Sequence, residues 1–378
     1  MGSVLVVTND FPPRVGGIES FVFSLCSGFS SDQLVVYTAT MSDSVKTDAS
    51  LPYPVIRDTR RILLPTPRVS RAVRRVARDY GCDRVVFGAA APLGLLARDL
   101  RSTGVRRIVG LTHGHEVWWS KTPGARTMLR RIGEDIDVLT YVSDYCGREI
   151  AKALSPAAGN KMVRLSPGVD TAVFRPAADK ALLRRELGLE PARQVVLAVS
   201  RLVARKGHDV LIAAWPAILA RCPGAVLLIV GDGAQRARLQ WLARRARITE
   251  SVRFLPALPW SQLPPVYAAA DVFALPCRTR LRGLEPEAFG IVFLEAAAAG
   301  LPIVVGASGG APETVSEGET GYVVDPRDVV EVAARVVDLL AAPAVAAGMG
   351  RRGRERVQCM WSTRRGVQTL HGLLEEIR

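Results

Sequence analysis

Little in this chain suits it to hold a metal, to form disulfides or to cross a membrane. It has four histidines, of which only His113 and His115 lie close together, so no zinc site is expected. Its six cysteines, Cys26, Cys82, Cys146, Cys222, Cys277 and Cys359, are scattered without a Cys-x-x-Cys pair and read as reduced thiols in apolar or helical surroundings. No apolar run approaches the ~20 residues that a spanning helix needs. A strand candidate begins at Val4, leaving no room for a signal peptide, and a cytoplasmic location is expected. The dinucleotide fingerprint GxGxxG is missing after the first strand, as is an acidic ribose-binding residue after the second, which disfavours a nicotinamide cofactor. No aromatic-interleaved basic platform marks a nucleic-acid partner.

What is present is enough chain for two cores. The 378 residues exceed the usual size of a single α/β core, and 48% of them are hydrophobic, so each half can bury an interior of its own. In the first half, short apolar strands at 4–8, 34–38, 85–87, 108–112, 138–142 and 163–165 alternate with amphipathic helices. The second half repeats the rhythm at 195–200, 225–230, 252–255, 272–275, 303–305 and 321–324. This is the βαβ pattern of parallel sheets, so the expected fold class is α/β with two Rossmann-like, doubly wound domains. Ser166-Pro167-Gly168-Val169-Asp170 breaks both periodicities and sets the boundaries expected here. They are an N-terminal domain over 1–168, a C-terminal domain over 169–360, and a last helix over 361–378 that crosses back to the first domain.

Ligands of doubly wound sheets bind beyond the carboxyl ends of the strands, so the loops there carry the candidate site. After the first strand, Gly16 and Gly17 stand at a helix start, where backbone N–H groups approach a phosphate or sugar without a Cβ in the way, or simply make a tight turn. After the strand at 195–200 comes Arg201-Leu202-Val203-Ala204-Arg205-Lys206-Gly207. Arg201 and Lys206, five apart across a turn, suit a diphosphate, although a solvated basic loop has the same composition. The third stretch runs from Glu285 through Glu287, Phe289, Gly290 and Ile291 to Glu295, with Gly290 opening a helix. A loop carboxylate at Glu287 can accept from sugar hydroxyls, the N–H groups after Phe289 can meet phosphate, and Glu295 can accept from ribose. Acidic residues at a helix start also serve as plain caps.

The net charge of +14, from 50 Lys and Arg against 36 Asp and Glu, favours an anionic partner. Over 68–78 the apolar residues Val69, Ala72, Val73, Val76 and Ala77 form one helical stripe, leaving Arg68, Arg71, Arg74, Arg75 and Arg78 on the remaining face. With Arg57, Arg60, Arg61, Arg106 and Arg107, this reads as a surface for anionic headgroups, the alternative being a solvated helix face.

The phrases EPEAFGIVFLEA, SRLVARKG, IVGDG, THGHEV and SGGAPE resemble those of the family 4 retaining glycosyltransferases over nearly the whole chain. TNDFPPRVGGIES, FGAAAPL, RRIG and PCRTR are similar, more narrowly, to the actinobacterial mannosyltransferases of phosphatidylinositol mannoside synthesis. That resemblance implies two domains facing a cleft (the GT-B type), GDP-mannose as donor and a phosphatidylinositol mannoside as acceptor. It implies that Arg201 and Lys206 hold the diphosphate, that Glu287 meets the donor sugar and that Glu295 binds the ribose. Leu258 would lie near the base, Gly16 and Gly17 would face the donor phosphates, and His113 would contact the transferred sugar. Trp118, Pro256 and the pair Leu281-Arg282 depart from the narrower pattern, on the acceptor side, beside the base and before the glutamate motif.

The expected activity is therefore retaining transfer of mannose from GDP-mannose to a lipid hydroxyl, with Arg201 and Lys206 supplying the countercharge, so that no metal and no cofactor is expected. The expected location is the inner face of the plasma membrane, peripherally bound. Alternatives are a transferase with another sugar nucleotide or a non-lipid acceptor, a sugar-nucleotide epimerase, and a non-catalytic membrane- or glycan-binding protein. No feature of the sequence sets the oligomeric state.

Overall fold

A computed structural model describes residues 3–14 and 16–375; Val15, within the TNDFPPRVGGIES phrase, and the last three residues of the C-terminal segment lie outside the described residues. The chain forms two compact units, 1–167 with 363–378, and 168–362.

The first unit holds a seven-stranded sheet of β1 (Ser3–Thr8), β2 (Leu34–Thr38), β3 (Val55–Arg57), β4 (Cys82–Phe87), β5 (Arg107–Gly110), β6 (Val138–Tyr141) and β7 (Met162–Arg164), ordered 3-2-1-4-5-6-7. The second holds β8 (Val195–Val199), β9 (Val226–Val230), β10 (Val252–Leu255), β11 (Val272–Leu275), β12 (Ile303–Gly306) and β13 (Gly321–Val324), ordered 10-9-8-11-12-13. Every pairing between these strands is parallel. Strands covered on both faces must be apolar throughout, and β2, β8, β9, β11 and β12 are buried at every residue. Both sheets reverse their winding once, between β1 and β4 and between β8 and β11. At such a switch point the two flanking loops splay apart and leave room for a ligand.

Two strands depart most from the sequence expectation, while several others shift by one or two residues at an end. β3 was not expected; its three half-buried residues follow Pro52 and Pro54 and are too few to show a period. β4 starts at Cys82 rather than Val85, because Asp83 and Arg84 interrupt the apolar run without interrupting the ladder.

The Thr363–Glu375 helix belongs to the first unit. Leu370, Leu373 and Leu374 are buried, the His371 ring stacks on Phe29 at 4.4 Å, and Arg107 Nε donates to the Leu373 carbonyl at 2.8 Å. In the second unit Asp328 caps the Val329–Ala341 helix through the N–H groups of Val330 and Glu331. No helix among the described residues is long and apolar enough to cross a membrane.

The basic helix runs Pro67–Asp79, with Thr66 as its cap and Val69, Val73, Val76 and Ala77 packed inward. Arg71, Arg75 and Arg78 are exposed and Arg74 is half-buried. Arg68 is tied down: its guanidinium makes two bonds, 2.8 and 3.1 Å, to Asp58, whose side chain is 1% exposed. Tyr37 Oη and the Arg60 N–H donate to the same carboxylate. Burial pushes the Asp58 carboxyl up, but these bonds outweigh it and hold the group below its ordinary range. Asp58 thus fastens the start of the basic helix to β2. Replacing it, Asp58→Ala, strands a buried Tyr37 hydroxyl and should cost about 2–4 kcal/mol, read as a lower urea midpoint. An unchanged midpoint would show that the cluster is not holding the helix.

Candidate functional site

The second unit brings three loops together at the carboxyl ends of β8, β11 and β12. β8 runs into Ser200 and Arg201, and the fully buried Leu202 then pins the loop through its N–H to the Asp232 carbonyl at 2.9 Å. A single 3-10 turn, Ala204–Lys206, delivers Lys206 to Gly207, which caps the His208–Arg221 helix at φ 76°. A Cβ on Gly207 would sit 1.9 Å from the Pro276 carbonyl, so only glycine allows this loop to close on the one after β11. Arg278, in that second loop, donates its backbone N–H to the Arg205 carbonyl at 2.8 Å and its side chain to Asp209 at 2.8 Å.

The second loop carries Glu287. Its N–H donates to Ser308 Oγ at 3.1 Å, its carbonyl accepts from the Gly310 N–H at 2.9 Å, and Ser308 shares a 2.9 Å hydrogen bond with Thr279. At Gly309 (φ 56°) a Cβ would come within 2.1 Å of the Glu287 carbonyl. The SGGAPE loop therefore fastens the glutamate backbone from behind, and its side chain meets Lys206.

Lys206 Nζ lies 2.8 Å from Glu287 Oε2, with side chains 9% and 8% exposed. Arg205 reaches the Pro286 carbonyl at 3.2 Å and stands 3.9 Å from the same carboxylate oxygen. Burial raises the Glu287 carboxyl, but Lys206, Arg205 and Arg201 together outweigh it and keep it ionised, below its ordinary range. Arg201 is exposed and takes no part in an ion pair among the described residues. His208, buried beside Lys206 and 3.2 Å from Ser200 Oγ, is pushed down to about 3, first by burial and then by the lysine, and adds no charge. The loops thus present three cations against one carboxylate.

Gly290 (φ 95°) opens the Ile291–Ala298 helix, with Phe289 buried beneath it. Glu295 lies one turn further on and is 5% exposed. Tyr267 Oη donates to its Oε2 at 2.7 Å, and the Trp260 side chain is its other partner. Tyr267 in turn packs edge-on to Phe174 and stacks with Phe273. Burial raises the Glu295 carboxyl to about 7 although both hydrogen bonds oppose it. Trp260 lies on the loop that holds the half-buried Leu258, so that loop and Glu295 are brought together.

Gly16, Gly17 and His113 lie in the first unit, at the carboxyl ends of its strands. Gly16 caps the Gly17–Cys26 helix, and Arg14 Nε stands 3.3 Å from Glu19 in the first turn. His113 follows β5 and its Nε2 contacts the Gly88 carbonyl at 2.5 Å, which requires that nitrogen to carry the proton. Burial lowers the imidazole, so it stays neutral with Nδ1 as an acceptor. Glu116 Oε2 accepts from the N–H groups of His113 and Gly114, fixing the turn. Trp118 is exposed on the Glu116–Lys121 helix.

Among the described residues no three His, Cys, Asp or Glu side chains gather as a metal site. An Asp-x-Asp spacing, of the kind that holds a cation in metal-dependent transferases, does occur at Asp135 and Asp137. Asp135 pairs with Arg98 and Arg131, while Asp137 pairs with Arg101 and accepts from the Ile108 N–H. Of the cysteines, five are buried and Cys359 is exposed. The site residues that the sequence left unassigned are Arg205, Ser308, Thr279, Tyr267 and Trp260. Arg205 and Ser308 stand inside the SRLVARKG and SGGAPE phrases, whereas no local signal marks Thr279, Tyr267 or Trp260.

Residues 15–173 match the family described as Glycosyltransferase Family 4, and residues 179–356 match Glycosyl transferases group 1. The chain is 46% identical, over 96% of its length and 95% of the relative's, to the GDP-mannose-dependent alpha-(1-6)-phosphatidylinositol monomannoside mannosyltransferase of Mycolicibacterium smegmatis. It is 43% identical, over 95% of its length and 94% of the relative's, to the GDP-mannose-dependent monoacylated alpha-(1-6)-phosphatidylinositol monomannoside mannosyltransferase of Corynebacterium glutamicum. Among solved structures, Anabaena HepE in complex with UDP and glucose shares the fold at TM-score 0.81 and 20% identity, covering 98% of this chain and 99% of that one. A Rickettsia africae glycosyltransferase does so at TM-score 0.81 and 18% identity, covering 100% and 98%. With two Rossmann-like domains, a cationic loop facing a glutamate loop, and likeness to these enzymes over nearly its whole length, the chain belongs to the GDP-mannose-dependent phosphatidylinositol monomannoside mannosyltransferases within the family 4 glycosyltransferases.

Proposed function

We propose that the protein transfers mannose from GDP-mannose to a phosphatidylinositol mannoside acceptor with retention at the anomeric carbon. The observation that carries this reading is the buried Lys206–Glu287 pair with the unpaired Arg201 beside it. A diphosphate entering these loops gives Lys206 and Arg201 an anionic partner, and a sugar hydroxyl gives Glu287 a donor to replace the lysine. As the bond from the anomeric carbon to the phosphate oxygen breaks, the charge left on the diphosphate meets both cations. The acceptor oxygen bonds to the anomeric carbon on the same face, and its proton passes to the leaving phosphate oxygen. Glu295 accepts from the ribose hydroxyls, and the loop holding Leu258 flanks the base. In the first unit Gly16 and Gly17 present backbone N–H groups to the donor phosphates, and His113 Nδ1 accepts from a hydroxyl of the transferred sugar.

The acceptor is met at the membrane. Arg71, Arg74, Arg75 and Arg78 give the Pro67–Asp79 helix an attraction for anionic lipid, each cation near such a surface contributing on the order of 1 kcal/mol. Arg68, already neutralised by Asp58, contributes less. The protein is thus peripheral, at the inner face of the plasma membrane.

Two outcomes test this reading. Lys206→Ala and Arg201→Ala should each lower kcat at least about tenfold, ~1.4 kcal/mol of transition-state stabilisation, in a folded protein; the melting profile should be retained for the exposed Arg201 and shift down for Lys206, whose loss leaves Glu287 buried without its nearest partner. The same cations replace a metal, so parent activity should survive EDTA. Near-parent turnover in both variants, or an absolute need for magnesium or manganese, would overturn the countercharge assignment. The second concerns pH. Ionised Glu295 accepts from the ribose hydroxyls more strongly than the neutral acid does, and burial raises its carboxyl to about 7, so affinity for intact GDP-mannose should fall as pH drops from about 8 to about 6, by up to tenfold per unit. Glu295→Gln should bind weakly and flatten the dependence in calorimetric titrations. A flat parent profile would remove Glu295 from the ribose contact.

A further inference from the structure

An open cavity of about 340 Å³ lies in the first unit between the Pro67–Asp79 helix and the Ala97–Arg101 helix. Pro65, Ser70, Arg71, Arg74, Leu95 and Asp99 line it. It shares no residue with the loops after β1 and β5 that hold Gly16, Gly17 and His113.

Its polar groups are arranged unequally. Arg71 and Arg74 are three residues apart and so project from adjacent turns of one helix face. Arg71 spends its Nε on the Pro67 carbonyl, one turn back, at 3.3 Å. Arg74 Nε is shielded from solvent and has no hydrogen-bond partner. Neither guanidinium is in an ion pair among the described residues, in contrast to Arg68 on the same helix. Asp99 is exposed, and Ser70 Oγ donates to its Oδ2 at 2.5 Å, which orients the carboxylate and leaves Oδ1 free to accept from a ligand. Pro65 and Leu95 supply the apolar part of the lining, and Ile62 and Leu64, 65% and 53% exposed, stand just ahead of it on the segment that enters the helix.

We infer that this cavity binds the phosphodiester headgroup of an anionic polyol lipid, as an anchoring site separate from the residues that handle the transferred sugar. Two guanidinium forks outside ion pairs match the oxygens of a single phosphate bidentately, which a diffuse attraction to a charged surface does not require. The phosphate gives both guanidinium groups the anionic partner that they otherwise lack, and Asp99 receives a hydroxyl of the polyol. Ile62 and Leu64 then face the acyl chains. The inference rests on the membrane reading given above and divides its arginines into two kinds. Arg71 and Arg74 recognise a headgroup, whereas Arg75 and Arg78 add only charge.

The test compares Arg71→Gln/Arg74→Gln with Arg75→Gln/Arg78→Gln, two pairs that remove equal charge from the same helix with a good helix former. Thermal melts check that both fold. Glycerophosphoinositol and inorganic phosphate are titrated calorimetrically with the donor site saturated by GDP-mannose, and sedimentation with phosphatidylinositol-rich vesicles is measured separately. Glycerophosphoinositol should bind the parent and the Arg75/Arg78 pair alike. It should bind the Arg71/Arg74 pair about tenfold more weakly, on the scale expected when charge-assisted, bidentate hydrogen bonds to a phosphate are removed. Inorganic phosphate should bind the parent more weakly than glycerophosphoinositol, because it offers nothing to Asp99. Both pairs should sediment less with vesicles. Equal binding of glycerophosphoinositol to parent and Arg71/Arg74 pair, or none to the parent, overturns the cavity assignment while vesicle binding still judges the membrane reading. Equal binding of the two phosphates to the parent overturns the polyol part. If neither pair alters sedimentation, the membrane reading fails, and the titrations alone decide the cavity.

Discussion

Lys206 and Glu287 are both more than nine-tenths buried and meet at 2.8 Å. Burying a lone ammonium or carboxylate costs several kcal/mol even after relaxation, so the pair holds together two loops that come from different strands. The backbone around it is arranged to bring these two side chains to one point. Gly207 lets the loop after β8 pass under the Pro276 carbonyl, Gly309 lets the loop after β12 touch the glutamate backbone, and Ser308 takes up the Glu287 N–H. An ion pair of this kind is poor evidence for stability in itself. Its use lies in being exchangeable: a diphosphate and a sugar hydroxyl together can satisfy both partners, and little else does.

The neighbouring groups are consistent with that use. His208 is kept neutral, so the site's surplus charge resides on Arg201, Arg205 and Lys206. Glu295 is held in an apolar pocket by Tyr267 and Trp260, away from those cations, and as a result its carboxyl titrates at about 7. The two glutamates of one sequence phrase therefore have opposite electrostatics, one held ionised by cations and the other raised by burial. In the first unit the same logic fixes His113, whose protonated Nε2 is spent on the Gly88 carbonyl. On the basic helix it separates Arg68, neutralised by Asp58, from the arginines that stay available.

The legible part of this protein was its periodicity and its loop phrases. Runs such as 195–199 and 226–230 are apolar throughout because both faces of the strand are covered, and such runs are read without difficulty. Arg201, Lys206, Glu287 and Glu295 stand in short phrases whose residue types already state a chemistry. β3 escaped because three residues carry no period. The partners of the site residues escaped for another reason. Tyr267 lies 28 positions from the Glu295 that it bonds, and Thr279 lies 29 from Ser308, so these pairs meet only once the sheet is wound. Nor does helical patterning distinguish Arg68 from Arg71, since the difference is made by Asp58 on another element. The Asp135 and Asp137 spacing likewise carries no metal chemistry by itself, because Arg98 and Arg101 of the Ala97–Arg101 helix neutralise the two carboxylates.

The central claim is that Glu287 serves the sugar while neutralising Lys206 until a diphosphate arrives. Calorimetric titration of GDP and of GDP-mannose into the parent, Glu287→Gln, Lys206→Met and the double variant measures this directly, with single-turnover rates on GDP-mannose recorded alongside. Glu287→Gln should leave GDP affinity unchanged or tighter, since it frees the lysine, yet weaken GDP-mannose and slow its turnover. Lys206→Met should weaken both ligands, and the two changes should couple strongly in the cycle. If Glu287→Gln weakens GDP as much as it weakens GDP-mannose, with no coupling to Lys206, then the carboxylate does not read the sugar and the pair is only a structural clasp.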